Sequence, residues 1–289
     1  MGSERHLWRS MLYIPGSNAR ALEKARSLPT DAIIFDLEDA VAPDAKADAR
    51  IALAEALTTG GYGSRARVAR INALDTEWAR DDLSALAGAS PDGILLPKVD
   101  GAADIATLSG MMDQTDLGGT AIWAMMETPR GILNALAIAD APGMQGFVIG
   151  TNDLAKDLHL PEGTGRASMR MALQTCVLAA RAAGIACVDG VYNAFKDDDG
   201  LRGECDDGRA LGMDGKSLIH PAQLEIANAA FAPNETEVAL ARRQIAAFAE
   251  AEAAGQGVAV LDGRIVENLH VATARATLAK AEAIAETTQ

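Results

Sequence analysis

Eight short apolar runs, each separated from the next by a stretch long enough for a helix, constrain this chain more than any other feature. The runs are Met11–Ile14, Ala32–Leu37, Arg67–Ile71, Gly93–Leu96, Ala121–Met126, Gly146–Ile149, Ala186–Val188 and Gly215–Ile219. Short apolar runs bounded by turn residues read as buried strands, and the longer Ala/Leu-rich stretches between them as helices. Asn18–Arg26 is one such helix, with Ser17 as its cap. No hairpin joins consecutive runs, so neighbouring strands should lie parallel. Eight repeats of strand and helix predict closure into a (β/α)8 TIM barrel. A doubly wound Rossmann-like sheet is the competing fold. It needs G-x-G-x-x-G after its first strand, where this chain reads Tyr13-Ile14-Pro15-Gly16-Ser17. Gly212-Met213-Asp214-Gly215-Lys216-Ser217 is no P-loop, because its glycines stand too close together.

Beyond the eighth run the pattern changes. Glu235–Gly255 predicts one long helix, Val258–Val266 a hairpin turning at Asp262-Gly263, and His270–Glu286 a last helix. The chain therefore divides into residues 1–232, the barrel, and 233–289, a C-terminal helical lid extension.

Composition narrows the class. Hydrophobic residues are 49% and charged residues 23% of the 289, enough apolar material for a large core. A formal net charge of −14 argues against nucleic acid or an anionic membrane as partner. No apolar run is long enough to cross a membrane, and Met1–Ser10 carries no apolar leader stretch. Three cysteines without a C-x-x-C pair fit a reducing compartment, so the cytoplasm is the expected location. An acidic chain acting on an anion needs local positive charge or a metal.

Chemistry in such a barrel sits at the C-terminal strand ends. These ends read Asp36-Leu37-Glu38-Asp39, Arg70-Ile71-Asn72, Pro97-Lys98, Glu127-Thr128-Pro129-Arg130, Gly150-Thr151-Asn152-Asp153, Asp189-Gly190 and His220-Pro221. Crowded carboxylates repel unless a counter-ion joins them. Mg2+, or Mn2+ in its place, meets that need with one or two carboxylates plus waters and substrate oxygens. Glu127 and Asp153 suit direct ligation, and Glu38 and Asp39 the surrounding water shell. Arg70 is the natural carboxylate clamp. Lys24, Lys98 and Arg20 offer charge for phosphates, while His220 before a proline suits a structural role. These residues point to a Mg-dependent barrel enzyme acting on a carboxylate substrate.

Seven segments carry a resemblance. They are Arg9–Gly16, Phe35–Val41, Arg70–Asn72, Leu96–Val99, Glu127–Gly131, Gly150–Leu154 and Gly215–Pro221, in order along nearly the whole chain. The sequence resembles the citrate lyase β-subunit-like branch of the HpcH/HpaI aldolase superfamily, which includes malyl-CoA lyases and (S)-malyl-CoA thioesterases. The resemblance implies Mg2+ on Glu127 and Asp153, Glu38 and Asp39 around it, and Arg70 on the carboxylate of an oxo acid such as glyoxylate. It implies CoA as part of the substrate, with Tyr13, Lys24 and Lys98 near its nucleotide. Asn18 stands where some relatives carry Arg. It further implies a homotrimer or homohexamer whose lid covers a neighbouring subunit and supplies an acidic catalytic residue. That residue is generally Asp, and here the position is Glu267.

The reading that follows is cleavage of a malyl-CoA-type 3-hydroxyacyl-CoA, by carbon–carbon lysis or by thioester hydrolysis. Glu267 would protonate the enolate carbon or activate water. A free-acid class II pyruvate aldolase and a citrate lyase complex β subunit are the alternatives. The Lys24/Lys98 pair and the lid speak against the first, and the lid against the second, since complex-bound relatives are expected to lack it.

Overall fold

A computed structural model describes residues 6–287. Residues 8–231 form one compact unit; residues 6–7 and 232–287 belong to a second.

The first unit is a closed parallel barrel. Its strands are β1 (Ser10–Pro15), β2 (Ala32–Asp36), β3 (Ala66–Arg70), β4 (Gly93–Leu96), β5 (Ala121–Met126), β6 (Met144–Ile149), β7 (Ala186–Asp189) and β8 (Gly215–Leu218). They neighbour one another in chain order, and β8 closes on β1. All eight predicted strands are present, with ends shifted by a residue or two. β2 stops at Asp36, not Leu37, because the Asp36 carboxylate takes the backbone N–H groups of Glu38 and Ala40 and turns the chain.

Side chains alternate between the two faces of each strand. Met11, Ala32, Ile34, Val68, Leu95, Val148 and Val188 pack with Trp123 inside the barrel. Trp123 fills the interior because Gly146 and Gly93 flank it; a methyl group at Gly146 would lie 2.3 Å from its ring. Trp8 meets Trp123 edge to face, ring centroids 4.7 Å apart. Ile33, Phe35, Leu96, Phe147 and Leu218 face outward onto the helices and form the larger core. The barrel centre is therefore packed, and β2, β3 and β7 end on the charged residues Asp36, Arg70 and Asp189.

The second unit consists of the helix Glu235–Ala253, the hairpin β9 (Ala259–Leu261) and β10 (Arg264–Val266), and the helix Asn268–Thr287. Asp262 and Gly263 both have positive φ, 50° and 75°, as a tight two-residue hairpin turn demands. Phe248, Ala251, Ala259, Val266 and Val271 form its small core. Val260 and Ile265, paired across the strands, are 69% and 59% exposed, so one hairpin face is apolar.

Candidate active site at the barrel mouth

A cavity of about 330 Å³ opens at the C-terminal strand ends. Its lining includes Tyr13, Asp36, Asp39, Arg70, Met125, Glu127, Gly150, Asp153 and Asn193. Each of Tyr13, Asp36 and Arg70 follows from alternation: one inward position beyond the apolar layer, the strand emerges at the mouth.

Asp36 and Arg70 are register partners on β2 and β3. Arg70 Nε donates to Asp36 Oδ1 at 2.7 Å and Nη2 to Oδ2 at 2.6 Å, a bidentate pair in which Asp36 is 1% exposed. The fork expected to clamp substrate is thus spent on a protein carboxylate. The third nitrogen, Nη1, lies 2.8 Å from Glu38 Oε2 and 4.0 Å from Asp39 Oδ2. Glu38 Oε2 is buried and receives no aligned hydrogen bond, so the contact is a charge contact that leaves Nη1 donors available. Burial pushes the Glu38 carboxyl up to about 7 against the pull of Arg70. Tyr13 lies under the guanidinium, ring centroid 5.0 Å from Arg70 Cζ, and its hydroxyl reaches Met125 Sδ. Burial also drives the Tyr13 hydroxyl above its ordinary range, so it stays protonated. Behind the β2 loop, buried Lys46 donates to the carbonyls of Leu37 and Glu38 at 2.9 and 3.0 Å and fixes the path of this acidic segment.

Glu127 and Asp153 line the same cavity and share one cationic partner. Glu127 follows β5, and Asp153 sits in the first turn of the helix Thr151–Asp157 after β6. Lys98 connects them. Its backbone N–H donates to Glu127 Oε1 at 2.8 Å. Its ammonium lies 2.6 Å from Asp153 Oδ1 and 3.5 Å from Glu127 Oε1. Burial raises the Glu127 carboxyl, and Lys98 opposes that rise. Gly150 gives Glu127 its room: a Cβ there would lie 2.5 Å from both Glu127 Cβ and Oε2.

The donor set fits a hard divalent cation. Two oxygen-bearing side chains converge, and the position between them is held by a positive charge. Among the described residues no group of three or more His, Cys, Asp or Glu comes together as a metal cage. Mg2+ is the metal suited to so few protein ligands, because it keeps waters and takes substrate oxygens.

The other expected residues are dispersed. Lys24 is exposed in the last turn of the helix Ala19–Ala25 and is absent from the cavity lining. Glu267 belongs to the second unit, exposed just before the helix Asn268–Thr287, where its backbone N–H donates to His270 Nδ1. His220 caps the turn Pro221–Gln223 through its own Nδ1, a structural role. Lys216 is fully buried against Asp189 and Glu204 at 2.9 and 2.7 Å, so it offers nothing to a phosphate.

Four residues had no role assigned from sequence: Asp36, Lys46, Asn152 and Asn193. Asp36 was one acid among three, but its match to Arg70 on the adjacent strand was a usable signal. Lys46 and the Asn152–Asn193 amide pair, joined by hydrogen bonds of 2.8 and 3.3 Å, come from distant segments and left no local signature.

The HpcH/HpaI aldolase/citrate lyase family profile matches residues 9–221. The chain is 58% identical over 285 residues to a (3S)-malyl-CoA thioesterase of Cereibacter sphaeroides, covering 99% of this chain and 98% of that protein. It is 36% identical to the citrate lyase subunit beta of Escherichia coli K12, over 95% of this chain and 93% of that one. Since that match extends into the C-terminal segment, possession of the segment does not separate the two groups. Among solved structures, CitE from Mycobacterium tuberculosis in complex with magnesium, acetoacetate and coenzyme A superposes with a TM-score of 0.79 at 31% identity. The match covers 94% of this chain and 97% of that one.

Proposed function

The chain belongs to the HpcH/HpaI aldolase/citrate lyase family, and we propose that within it this protein is a Mg2+-dependent enzyme of CoA thioesters, cleaving a malyl-CoA-type 3-hydroxyacyl-CoA. The observation that carries the reading is the cavity that gathers Arg70, Glu127 and Asp153 into one lining, on a chain 58% identical to a (3S)-malyl-CoA thioesterase. Greater identity to the thioesterase than to citrate lyase subunit beta favours a CoA-thioester enzyme over a citrate lyase complex β subunit.

Glu127 and Asp153 are the residues that would hold Mg2+. Bound there, the ion supplies Lewis acidity and charge toward the oxygens of a hydroxy acid. The protein's own groups do the rest. Arg70 offers Nη1 to the substrate carboxylate, and Asp36 holds the guanidinium in place. Met125, Tyr13 and Ile149 give the cavity an apolar floor that excludes water. Glu38, poised near neutrality, and Asp39 provide proton-accepting oxygens beside Arg70.

In lysis, the hydroxyl proton leaves, the bond between the carbinol carbon and the thioester α-carbon breaks, and glyoxylate and an acetyl-CoA enolate form. The enolate carbon then takes a proton. In hydrolysis, water adds to the thioester carbonyl and the thiolate of CoA leaves with a proton. We assign that proton donor, or water activator, to Glu267 from the lid of a neighbouring subunit. The apolar face of Val260 and Ile265 supports such docking. A homotrimeric or homohexameric assembly in the cytoplasm belongs to the same proposal. No helix among the described residues is long and apolar enough to cross a membrane.

Incubation with (S)-malyl-CoA and Mg2+ tests the reading. Malate plus free CoA identifies hydrolysis, glyoxylate plus acetyl-CoA identifies lysis, and an inert substrate overturns the assignment.

A further inference from the structure

We infer that Lys98 is an internal counter-ion: its ammonium neutralises the Glu127–Asp153 pair in the metal-free protein and must be displaced when a divalent cation binds. The inference rests on the metal reading above and adds a competing residue to it.

Three observations meet at Lys98. The ammonium lies 2.6 Å from Asp153 Oδ1 and 3.5 Å from Glu127 Oε1, within reach of both carboxylates. Two such groups side by side, one of them 1% exposed, are costly without a cation. The backbone at Lys98 has φ of 53°, the left-handed region that a side-chain-bearing residue seldom adopts. That conformation accompanies the 2.8 Å hydrogen bond from the Lys98 N–H to Glu127 Oε1, so the strain is tied to this contact. The third observation is a contrast in freedom. Glu127 is walled in by Gly150, where even a methyl group would collide with it. The Lys98 side chain is 38% exposed. The carboxylate is therefore fixed and the ammonium is the part that can leave, while the backbone N–H keeps its hold on Glu127.

A lysine stem is flexible and its head is readily hydrated. Once displaced, the Lys98 ammonium stays tethered at the cavity mouth, available to an anionic group of the incoming substrate. Metal binding thus converts Lys98 from a partner of the site's own carboxylates into a free cation.

The test is Mg2+ binding by calorimetry on the full-length, chelator-treated protein without substrate. Lys98→Met keeps the backbone N–H and the chain length but removes the charge, and should bind Mg2+ about tenfold tighter or more. Lys98→Arg keeps the charge and should show no such gain. In chelator, Lys98→Met should melt below wild type and gain more from added Mg2+. Asp153→Asn locates the ion, since it should abolish wild-type binding. Wild-type binding that depends on Asp153 while Lys98→Met binds no tighter overturns the counter-ion role alone. A wild type that binds no Mg2+ overturns the metal reading with it.

Discussion

Asp36 accepts four hydrogen bonds from one buried position: two from Arg70 and one each from the N–H groups of Glu38 and Ala40. Removing its charge strands the Arg70 guanidinium and frees the acidic loop together. Breaking one partner of a buried pair typically costs about 3–5 kcal/mol. Asp36→Asn should therefore lower unfolding free energy by several kcal/mol in urea titrations and cut kcat/KM at least about 100-fold, since small misplacements of a clamp are amplified in rate. A variant within about 0.5 kcal/mol of wild type would refute the hub role. Glu38 gives a pH-dependent counterpart. Its carboxyl is pushed up to about 7, above the ordinary 4.5, so the folded state prefers it protonated. That contribution is complete below pH 4.5 and is lost as pH rises through 7. Glu38→Gln stays neutral. Its stability relative to wild type, measured in chelator, should rise between pH 5 and 8 by on the order of 2 kcal/mol. Parallel stability curves would show that burial does not perturb this carboxyl.

At the scale of elements, the strands were legible and their cross-connections were not. Reading the C-terminal strand ends led to Arg70 and Glu127 at the mouth, because a barrel of this kind places its chemistry there, while Tyr13 came from the family resemblance. The engagement of Arg70 by Asp36 depends on the β2–β3 register, which periodicity within each strand leaves undetermined. Lys98 was expected to meet a phosphate. Its ammonium instead lies between carboxylates because the β4 exit takes a left-handed backbone step that no residue type there announces. Gly150 shows how tightly β6 is set against β5. Its φ of −102° is open to any residue, so space alone demands glycine. Gly150→Ala would press a methyl group against Glu127 Cβ and Oε2. We expect a loss of roughly 1–3 kcal/mol and at least tenfold weaker Mg2+ binding. Unchanged Mg2+ affinity by calorimetry would mean that Glu127 can move, contrary to the packing.

On the scale of the whole molecule, the acidic balance of −14 and the C-terminal segment pose one question: how an acidic chain completes a site for an anion. The barrel mouth holds the binding charges, and Glu267 is carried by a separate compact unit with an apolar hairpin face. The family resemblance implies that Glu267 serves a neighbouring subunit's site, and a single chain leaves that open, because the answer depends on assembly. Mixing two inactive variants separates the cases. Glu127→Gln supplies an intact lid on a disabled barrel, and Glu267→Ala an intact barrel with a disabled lid. If each lid serves its own barrel, no active combination exists and the mixture stays inactive. If each lid serves a neighbour in a cyclic oligomer, random exchange of equal amounts unites an intact barrel with an intact lid at about one site in four. We therefore expect (S)-malyl-CoA turnover near a quarter of wild type after co-refolding or co-expression, and none when the variants are purified separately. Persistent inactivity in oligomers shown by native mass spectrometry to contain both variants would assign the lid to its own barrel. High activity of Glu267→Ala alone would instead remove Glu267 from the reaction and leave proton transfer to the groups around Arg70.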